Sequence, residues 1–288
     1  MGQAVFRSVL GAAGDAIAGG GRVALCQIVR TEGSTPGKPG WKMAIEPGEA
    51  PIGNLGGGAF EALVIADARR LLSVEEPEPE LKRYYFTEEA VRGEPTGMVC
   101  GGMAEVFLEV MKSMPQLIVC GGGPVGQAVA VAGELAGFEI HVVEDREEFL
   151  QPGLFPAGTE IRPVDREFSE DFLAEVAKRD LYVAVVTRCW ETDVAALAAV
   201  LRQQPERLRY LGLLGSRRKV ERVREELATR SLDLSQSAFH GPIGLPIGGD
   251  SPGEIAIAIV AEILQQRHRA SQEARQPGPR PVGASEPS

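Results

Sequence analysis

The sequence predicts an α/β protein in which a Rossmann-like, doubly wound parallel sheet follows a smaller α+β domain. In the second half of the chain, short apolar runs alternate with helical patterns, and this order is typical of a parallel sheet covered by helices. The first of these runs leads into the glycine fingerprint Gly121-x-Gly123-x-x-Gly126, where a helix opens. We therefore assign an N-terminal domain, a Rossmann-like domain and a disordered tail to residues 1–114, 115–269 and 270–288.

The N-terminal domain is predicted to mix strands and helices around glycine-rich loops. Its helical patterns span residues 4–18 and begin again near Ala59. Its strand-like runs are RVALCQIVRT (22–31), WKMAI (41–45), RYYF (83–86) and AEVFLEV (104–110).

The Rossmann-like domain is predicted to alternate strands and helices. Its strand-like runs are LIVC (117–120), FEIHVVE (138–144), LYVAVV (181–186) and YLGLLG (210–215). Helices are expected after the fingerprint, at 169–178, 193–201 and 216–228, and from Pro252 to about Arg267. The last helix should begin with Ser251 as its N-cap and Glu254 closing a capping box.

Composition excludes several classes of protein. The 288 residues carry a formal net charge of -10, which argues against nucleic acid as the main partner because phosphate binding needs a basic surface. No run of 18 apolar residues is present, so no membrane span is expected. The cysteines, at positions 26, 100, 120 and 189, form no C-x-x-C pair. We therefore expect a reduced, cytoplasmic protein without a zinc site.

The glycine fingerprint predicts where a nucleotide would lie. Gly121 makes a tight turn, Gly123 lets a pyrophosphate approach the backbone, and Gly126 lets the helix pack closely on the strand. Glu144 and then Asp145 follow at roughly the 20-residue spacing of a ribose-binding carboxylate. These residues are candidates for binding NAD(P), and a vestigial or reused nucleotide site is the alternative.

Two further loops should lie at the carboxyl edge of the parallel sheet, where the ligands of such folds bind. One loop offers Arg188 and Asp193 together with a thiol and an indole; it is either part of a ligand site or a capped helix entrance. The other, with Ser216 and Arg217, starts a helix whose first turn holds three cations against the helix dipole. An anion nearby would explain this arrangement, and solvated surface charge is the alternative.

Three glycine-rich loops of the N-terminal domain are candidate parts of a concave ligand surface. They contain Lys38, then Gly56, Gly57 and Gly58, and finally Cys100, Gly101 and Gly102. Cys100 could be a buried spacer, a nucleophile or a soft ligand for metal or sulfur. Nucleophilic catalysis has little support, since His240 is the one loosely placed histidine available to activate a thiol. For the 56–58 triplet, tight packing is the alternative.

The chain contains, in this order, VRTEGSTPGKPGWKM, IGNLGGGAFEALVI, VCGGMAEVFLE, LIVCGGGPVGQAVA, LGLLGSRRKVERV and PIGLPIGGDSPGEIAIAIVAEI. These segments cover most of residues 20–268 and resemble the XdhC/CoxI family, the maturation factors of molybdenum hydroxylases such as xanthine dehydrogenase. The resemblance implies an accessory domain followed by a Rossmann domain. It implies binding of molybdenum cofactor (molybdopterin), delivery of the sulfurated cofactor to an apo-hydroxylase, a cysteine desulfurase as a partner, and a homodimer.

Within this resemblance, Cys100 matches the family's cysteine in its C-G-G segment and is a candidate ligand of molybdenum. Two positions depart from the family pattern: Ala59 stands where many relatives have a second cysteine, and Trp190 stands where many have histidine. Metal coordination by that cysteine pair is therefore not expected. We expect a cofactor-binding maturation factor rather than a turnover enzyme, with an NAD(P)-dependent oxidoreductase or a pure scaffold as alternatives.

Overall fold

The computed structural model describes residues 3–74, 77–86, 94–95, 101–169, 172–173, 179–235 and 238–275. The chain divides into two compact units, Met1–Ser113 with Ala270–Ser288, and Met114–Arg269. We refer to them as the first unit and the Rossmann unit.

The first unit is a largely antiparallel sheet with a helix on each face. Its strands are β1 (Arg22–Glu32), β2 (Lys42–Ile45), β3 (Ile52–Gly53), β4 (Glu80–Tyr85), β5 (Glu94–Pro95) and β6 (Met103–Lys112), in the spatial order β3-β2-β1-β6-β4-β5. Helix α2 (Gly58–Ser73) packs Phe60 and Val64 against the face that carries Ile28. Helix α1 (Gln3–Ala18) packs Val9 against the opposite face, because the side chains of a strand alternate.

The Rossmann unit is a parallel sheet with helices on both faces, as the sequence predicts. Its strands are β7 (Gln116–Cys120), β8 (Glu139–Glu144), β9 (Glu160–Pro163), β10 (Leu181–Val185), β11 (Leu208–Leu213) and β12 (Phe239–His240), in the order β12-β11-β10-β7-β8-β9. Helices α4 (Trp190–Gln203) and α5 (Arg217–Thr229) cover one face, and α3 (Pro124–Leu135) and α6 (Pro252–Arg275) cover the other. The strand order reverses between β7 and β10, which is where such sheets bind ligands.

Helix α6 begins as predicted and ends later than predicted. The Ser251 amide donates to Glu254 Oε2 at 3.0 Å, and the Glu254 amide donates to Ser251 Oγ at 3.3 Å, which confirms the capping box. The helix continues to Arg275 because residues 271–275 contain neither glycine nor proline. The prediction that it ends near Arg267 is therefore wrong. No helix in the described part of the chain has the length and apolarity needed to cross a membrane.

Some predictions lie outside the described residues, and some strands were missed. Most of the helix predicted at 169–178 and the tail from 276 on lie outside the residues that the structure describes. Strands β3, β5, β9 and β12 have two to four residues each. Such strands are too short to show the alternation of polar and apolar residues that identifies a strand in sequence.

We expect a buried histidine to make the stability of the Rossmann unit depend on pH. His141 is 4% exposed, and its ring nitrogens lie 3.2 Å from Glu139 Oε1 and 3.1 Å from Glu160 Oε2. Gln116 Nε2 is 3.0 Å away, and Arg179 and Arg162 pair with the two carboxylates. Burial lowers the pKa of His141 overall, although the carboxylates oppose the shift.

The unfolded chain should therefore bind a proton at His141 more readily than the folded chain does. The free energy of unfolding is expected to fall as the pH drops through the ordinary histidine pKa of about 6.5. Urea unfolding at about pH 7.5 and about pH 5.5 should show a smaller acid-induced loss in His141→Gln than in the wild type. An equal loss of unfolding free energy in both proteins would show that His141 is not the source of the pH dependence.

Candidate functional site

The three glycine-rich loops of the first unit pack against one another, backbone to backbone. A β-carbon built on Gly102 would lie 2.1 Å from the carbonyl oxygen of Ser34. One built on Gly37 would lie 2.1 Å from the carbonyl oxygen of Leu55. Both distances are far below contact distance, so only glycine lets these segments approach. We call the resulting region the glycine surface, formed by residues 33–38, 54–59 and 101–102.

The chain itself uses part of the anion-binding capacity of this surface. Glu61 Oε1 accepts hydrogen bonds from the amides of Leu55 at 2.7 Å and Gly56 at 3.1 Å. Gly57 and Gly58 have φ values of 82° and 67°, and among the residues that the structure describes, none beyond the local chain comes within 4 Å of a β-carbon built on either. Their backbone is therefore open, at the N-terminal end of the 16-residue helix α2.

Of the residues predicted for this site, the structure places all but one. Lys38, Ala59 and Gly101 are exposed, and Gly102 is buried. Cys100 precedes Gly101 directly in the chain but lies outside the described residues. The structure thus joins the loops of Lys38 and Gly56–Gly58 to Gly101 and Gly102, and the position of the Cys100 thiol stays a prediction.

Gly126 of the fingerprint has the packing role that its spacing predicts, whereas the pyrophosphate role of Gly123 stays a prediction. A β-carbon on Gly126 would lie 1.8 Å from the carbonyl oxygen of Gly121, so helix α3 can approach the loop only with glycine there. A β-carbon on Gly121 would lie 3.1 Å from Thr187 Cα, which brings the fingerprint next to the loop after β10. Gly123 is the N-cap of α3 and has no side-chain cap.

Glu144 is engaged with its own chain. Its side chain is 1% exposed, and Oε2 accepts from the Gly122 amide at 2.6 Å and from an Arg146 guanidinium nitrogen at 2.8 Å. Oε1 accepts from the amides of Asp145 and Arg146 and from Arg146 Nε. A ribose could bind Glu144 only by displacing some of these donors, and the ribose-binding role stays a prediction.

Asp145 and Arg188, both predicted as site residues, pair with each other. The two guanidinium nitrogens of Arg188 lie 2.7 and 2.8 Å from the two carboxylate oxygens. Burial tends to raise the pKa of Asp145, but the hydrogen bonds from Arg188 lower it overall. The two pairs, Glu144 with Arg146 and Asp145 with Arg188, line a recess at the carboxyl edge of the sheet that has no space for a water-sized molecule. The recess is therefore far smaller than a typical small-molecule pocket, which has a volume of roughly 300 Å³ or more.

Asp193 belongs to a buried cluster that the sequence analysis missed. Its side chain is fully buried, Thr187 Oγ1 donates to Oδ1 at 2.7 Å, and Lys219 Nζ lies 2.5 Å from Oδ2. Burial raises the pKa of Asp193, and Lys219 and Thr187 offset part of that shift. From the sequence, Lys219 could be recognised only as one of three cations in the first turn of a helix. Its inward direction depends on a partner 26 positions earlier in the chain.

Other predicted groups of this edge have local partners. Ser216 caps α5, accepting a hydrogen bond from the Lys219 amide at 3.3 Å, and Arg217 is exposed. Helix α4 begins at Trp190 with Cys189 as its N-cap, so Thr192 and Asp193 lie inside the helix and do not cap it. The Arg222 guanidinium lies 3.9 Å from the ring centroid of Trp190 and covers one face of the indole.

The described thiols differ in accessibility. Cys26 and Cys120 are buried, and Cys189 is partly exposed. Burial, with a smaller contribution from Asp67, raises the pKa of Cys26 to about 12. Burial also raises the pKa of Cys120. Cys26 and Cys120 are therefore unsuited to thiolate chemistry. Among the residues that the structure describes, no group of three or more His, Cys, Asp or Glu side chains could hold a metal ion.

The fold and these loops define a class: a two-unit α/β protein that joins a glycine-loop domain to a Rossmann domain. The family model of the XdhC Rossmann domain matches residues 117–263, and the model of the XdhC and CoxI family matches residues 16–85. The chain belongs to the XdhC and CoxI family, as its sequence motifs indicate.

The chain is also similar to several individual proteins. It is 34% identical over 253 residues to the uncharacterised protein YqeB of Escherichia coli K12, and 31% identical over 167 residues to a probable xanthine dehydrogenase subunit of Bacillus subtilis. These matches cover 86% and 58% of this chain but 44% and 47% of the relatives, so the chain spans less than half of either. A solved xanthine dehydrogenase structure from Bacillus halodurans is 21% identical, with a TM-score of 0.48 over 89% of this chain and 94% of that one.

Proposed function

We propose that this chain is an accessory factor for a molybdenum hydroxylase of the xanthine dehydrogenase type. Its membership of the XdhC and CoxI family supports this role, and one relative carries the name of a xanthine dehydrogenase subunit. In this proposal the chain binds molybdenum cofactor and assists its sulfuration and its insertion into the target enzyme. A cysteine desulfurase that supplies the sulfur, and a second copy of the chain, complete the proposed assembly.

The glycine surface is the observation that carries the cofactor-binding part of the proposal. Molybdenum cofactor is a pterin that carries a phosphate, and open glycine amides at a helix N-terminus suit a phosphate group. Gly57 and Gly58 offer such a backbone, next to the exposed Ala59. The loop packing links this junction to Gly101, which directly follows Cys100. The described residues therefore fit the phosphate end of the cofactor, and Cys100 is the residue proposed to contact its sulfur-bearing end.

In the proposed accessory role, the cofactor and the residues that bind it would each have a distinct task. When bound, the cofactor supplies the molybdenum and its sulfur ligands. The glycine amides would hold the phosphate, and the exposed Lys38 would add positive charge nearby. Because Ala59 provides no thiol, Cys100 would act without the second cysteine that many relatives have.

The alternative of an NAD(P)-dependent oxidoreductase has less support. It needs Glu144 to accept hydrogen bonds from a ribose, and Glu144 already accepts from Gly122 and Arg146. The recess beside it is lined by two ion pairs that a dinucleotide would have to separate. We therefore prefer the accessory role.

Replacing Cys100 with serine is expected to reduce the cofactor that the purified protein retains by about tenfold, equal to about 1.4 kcal/mol of binding free energy. The readouts are molybdenum by elemental analysis and pterin by fluorescence after oxidation, on protein from cells that make the cofactor. Cys189→Ser, which removes the partly exposed thiol of the Rossmann unit, should retain the wild-type amount. Ala59→Cys restores the second thiol of many relatives at an exposed position and should raise retention.

Wild-type amounts of molybdenum and pterin in Cys100→Ser would remove Cys100 from the proposed site. A wild-type protein that never carries either component, yet co-purifies with a desulfurase and a hydroxylase, would instead identify a scaffold. The Cys189→Ser control separates loss of a particular thiol from general sensitivity to oxidation.

A further inference from the structure

A lysine is held at the carboxyl edge of the parallel sheet by contacts from three segments. Lys219 Nζ lies 2.5 Å from Asp193 Oδ2 and donates to the carbonyl oxygen of Leu214 at 2.9 Å. Thr187 Oγ1 fixes the other oxygen of Asp193. Thr187 follows β10 and Leu214 follows β11, so the cluster lies at the ends of two neighbouring parallel strands.

The backbone is shaped to admit this lysine. A β-carbon built on Gly215 would lie 2.5 Å from Lys219 Cδ, so glycine at this position makes room for the side chain to fold back over the loop. Asp193 is fully buried, whereas a quarter of the Lys219 side chain is exposed. An ammonium has three N–H donors; Nζ donates to the Leu214 carbonyl oxygen and forms an ion pair with Asp193. A remaining N–H donor could bind a ligand at the exposed side of the side chain.

A purely structural role does not require this arrangement. Burying a carboxylate is costly, and apolar residues of similar volume often replace buried ion pairs with no loss of stability. The position also matters: Thr187 lies against Gly121 of the fingerprint and lines the recess between Glu144 and Arg188. The lysine cluster thus borders the point where strand order reverses, where open α/β sheets bind ligands.

The charges near Lys219 indicate the chemistry of that ligand. Arg217 and Arg218 are exposed in the same first turn of α5, and neither forms an ion pair with another residue in the described ranges. Cations there oppose the positive end of the helix dipole, and a bound anion would relieve this repulsion. Beside a glycine fingerprint, a phosphate group is the anion that best matches an ammonium with adjacent guanidinium groups.

We propose that Lys219, held in place by Asp193 and Thr187, binds the phosphate group of a small-molecule ligand at the carboxyl edge of the Rossmann unit. The residues of this site all belong to the Rossmann unit, and the inference does not depend on the cofactor role proposed above. Because Glu144 is bonded to Gly122 and Arg146, the ligand is recognised by its phosphate and not by a ribose. Inorganic pyrophosphate, ADP and NAD should therefore all bind, with no strong preference for the nucleosides.

The test is titration calorimetry of the full chain with inorganic pyrophosphate, ADP and NAD. Lys219→Met should weaken pyrophosphate binding by about tenfold or more. Since that variant leaves Asp193 unpaired, the double variant Asp193→Asn with Lys219→Met removes both charges, and circular dichroism can verify its fold. The matched control is Arg202→Met, which removes one exposed cation at the C-terminal end of α4, away from the carboxyl edge.

The proposal is supported if the wild type and Arg202→Met bind pyrophosphate equally and the folded double variant does not. It is overturned if the wild type binds none of the three probes, or if the folded double variant binds as the wild type does. Binding of NAD without pyrophosphate would also overturn it, because recognition would then rest on the nucleosides. An equal loss of pyrophosphate binding in Arg202→Met would mean that binding depends on net charge alone. That result would contradict the assignment of Lys219.

Discussion

Replacing Gly126 with alanine is expected to lower the free energy of unfolding of the Rossmann unit by about 3 kcal/mol. The added β-carbon would lie 1.8 Å from the carbonyl oxygen of Gly121, which is part of the backbone and cannot rotate away. Relief requires α3 to move away from β7, and the helix packs Val129 and Ala130 into the core of the sheet. The substitution therefore weakens packing across the whole helix–sheet interface and not only at one contact.

Gly253→Ala is the matched control for this prediction. Gly253 also lies in the first turn of a helix of the Rossmann unit, and in the described part of the chain no atom beyond its local neighbours comes within 4 Å of a β-carbon built there. Alanine at that position should stabilise the protein by about 0.5–1 kcal/mol, because glycine is the poorer helix former. Urea unfolding of both variants should give changes of opposite sign. A neutral effect of Gly126→Ala would mean that α3 shifts at little cost.

Replacing Lys219 with methionine is expected to lower the free energy of unfolding by about 3 kcal/mol. This value is the lower end of the range for removing one partner of a buried ion pair, and we choose it because Lys219 is partly exposed. Asp193 would keep its buried position and lose the ammonium beside it. Burial already raises the pKa of Asp193, and Lys219 reduces the size of that increase. Without Lys219 the pKa of Asp193 should rise further.

The pH dependence of this variant distinguishes lost charge pairing from lost packing. A carboxyl group whose folded-state pKa is raised costs stability when it must ionise, and the cost disappears as the folded state takes up the proton. The deficit of Lys219→Met against the wild type should therefore be largest at neutral pH and narrow as the pH falls toward about 5. Urea unfolding across this range measures it. Adding Asp193→Asn should recover much of the loss, and a deficit that is constant with pH would indicate packing alone.

Most of the secondary structure and the fold class could be predicted from the sequence, because their signals are local. The run LIVC followed by Gly121, Gly123 and Gly126 specifies a strand, a turn and a closely packed helix through steric demands within ten residues. The capping box of Ser251 and Glu254 spans four residues, and the structure confirms it. The late end of α6 was missed because the composition of the whole tail outweighed the helix-forming residues 271–275.

The candidate site residues were only partly predictable. The sequence singled out Glu144, Asp145, Arg188 and Asp193 by residue type and position. It predicted a ligand as their partner, with a capped helix entrance as the alternative for the loop of Arg188 and Asp193. In the structure Glu144 accepts from Gly122 and Arg146, and Asp145 pairs with Arg188. A charged side chain at a strand end can bind either a ligand or a neighbouring loop, and residue type alone does not distinguish the two.

The sequence by itself determined the order of the longer strands and of most helices, the fingerprint turn, the helix start at Ser251 and the resemblance to the XdhC and CoxI family. Only the tertiary structure decided that the glycine-rich loops of the first unit pack together, and that Lys219 turns inward to Asp193 instead of outward with Arg217. The physical reason is the range of the interactions. Backbone sterics and capping act between neighbours in the chain, whereas the partner of a buried charge or a glycine contact is set by segments that meet only after folding.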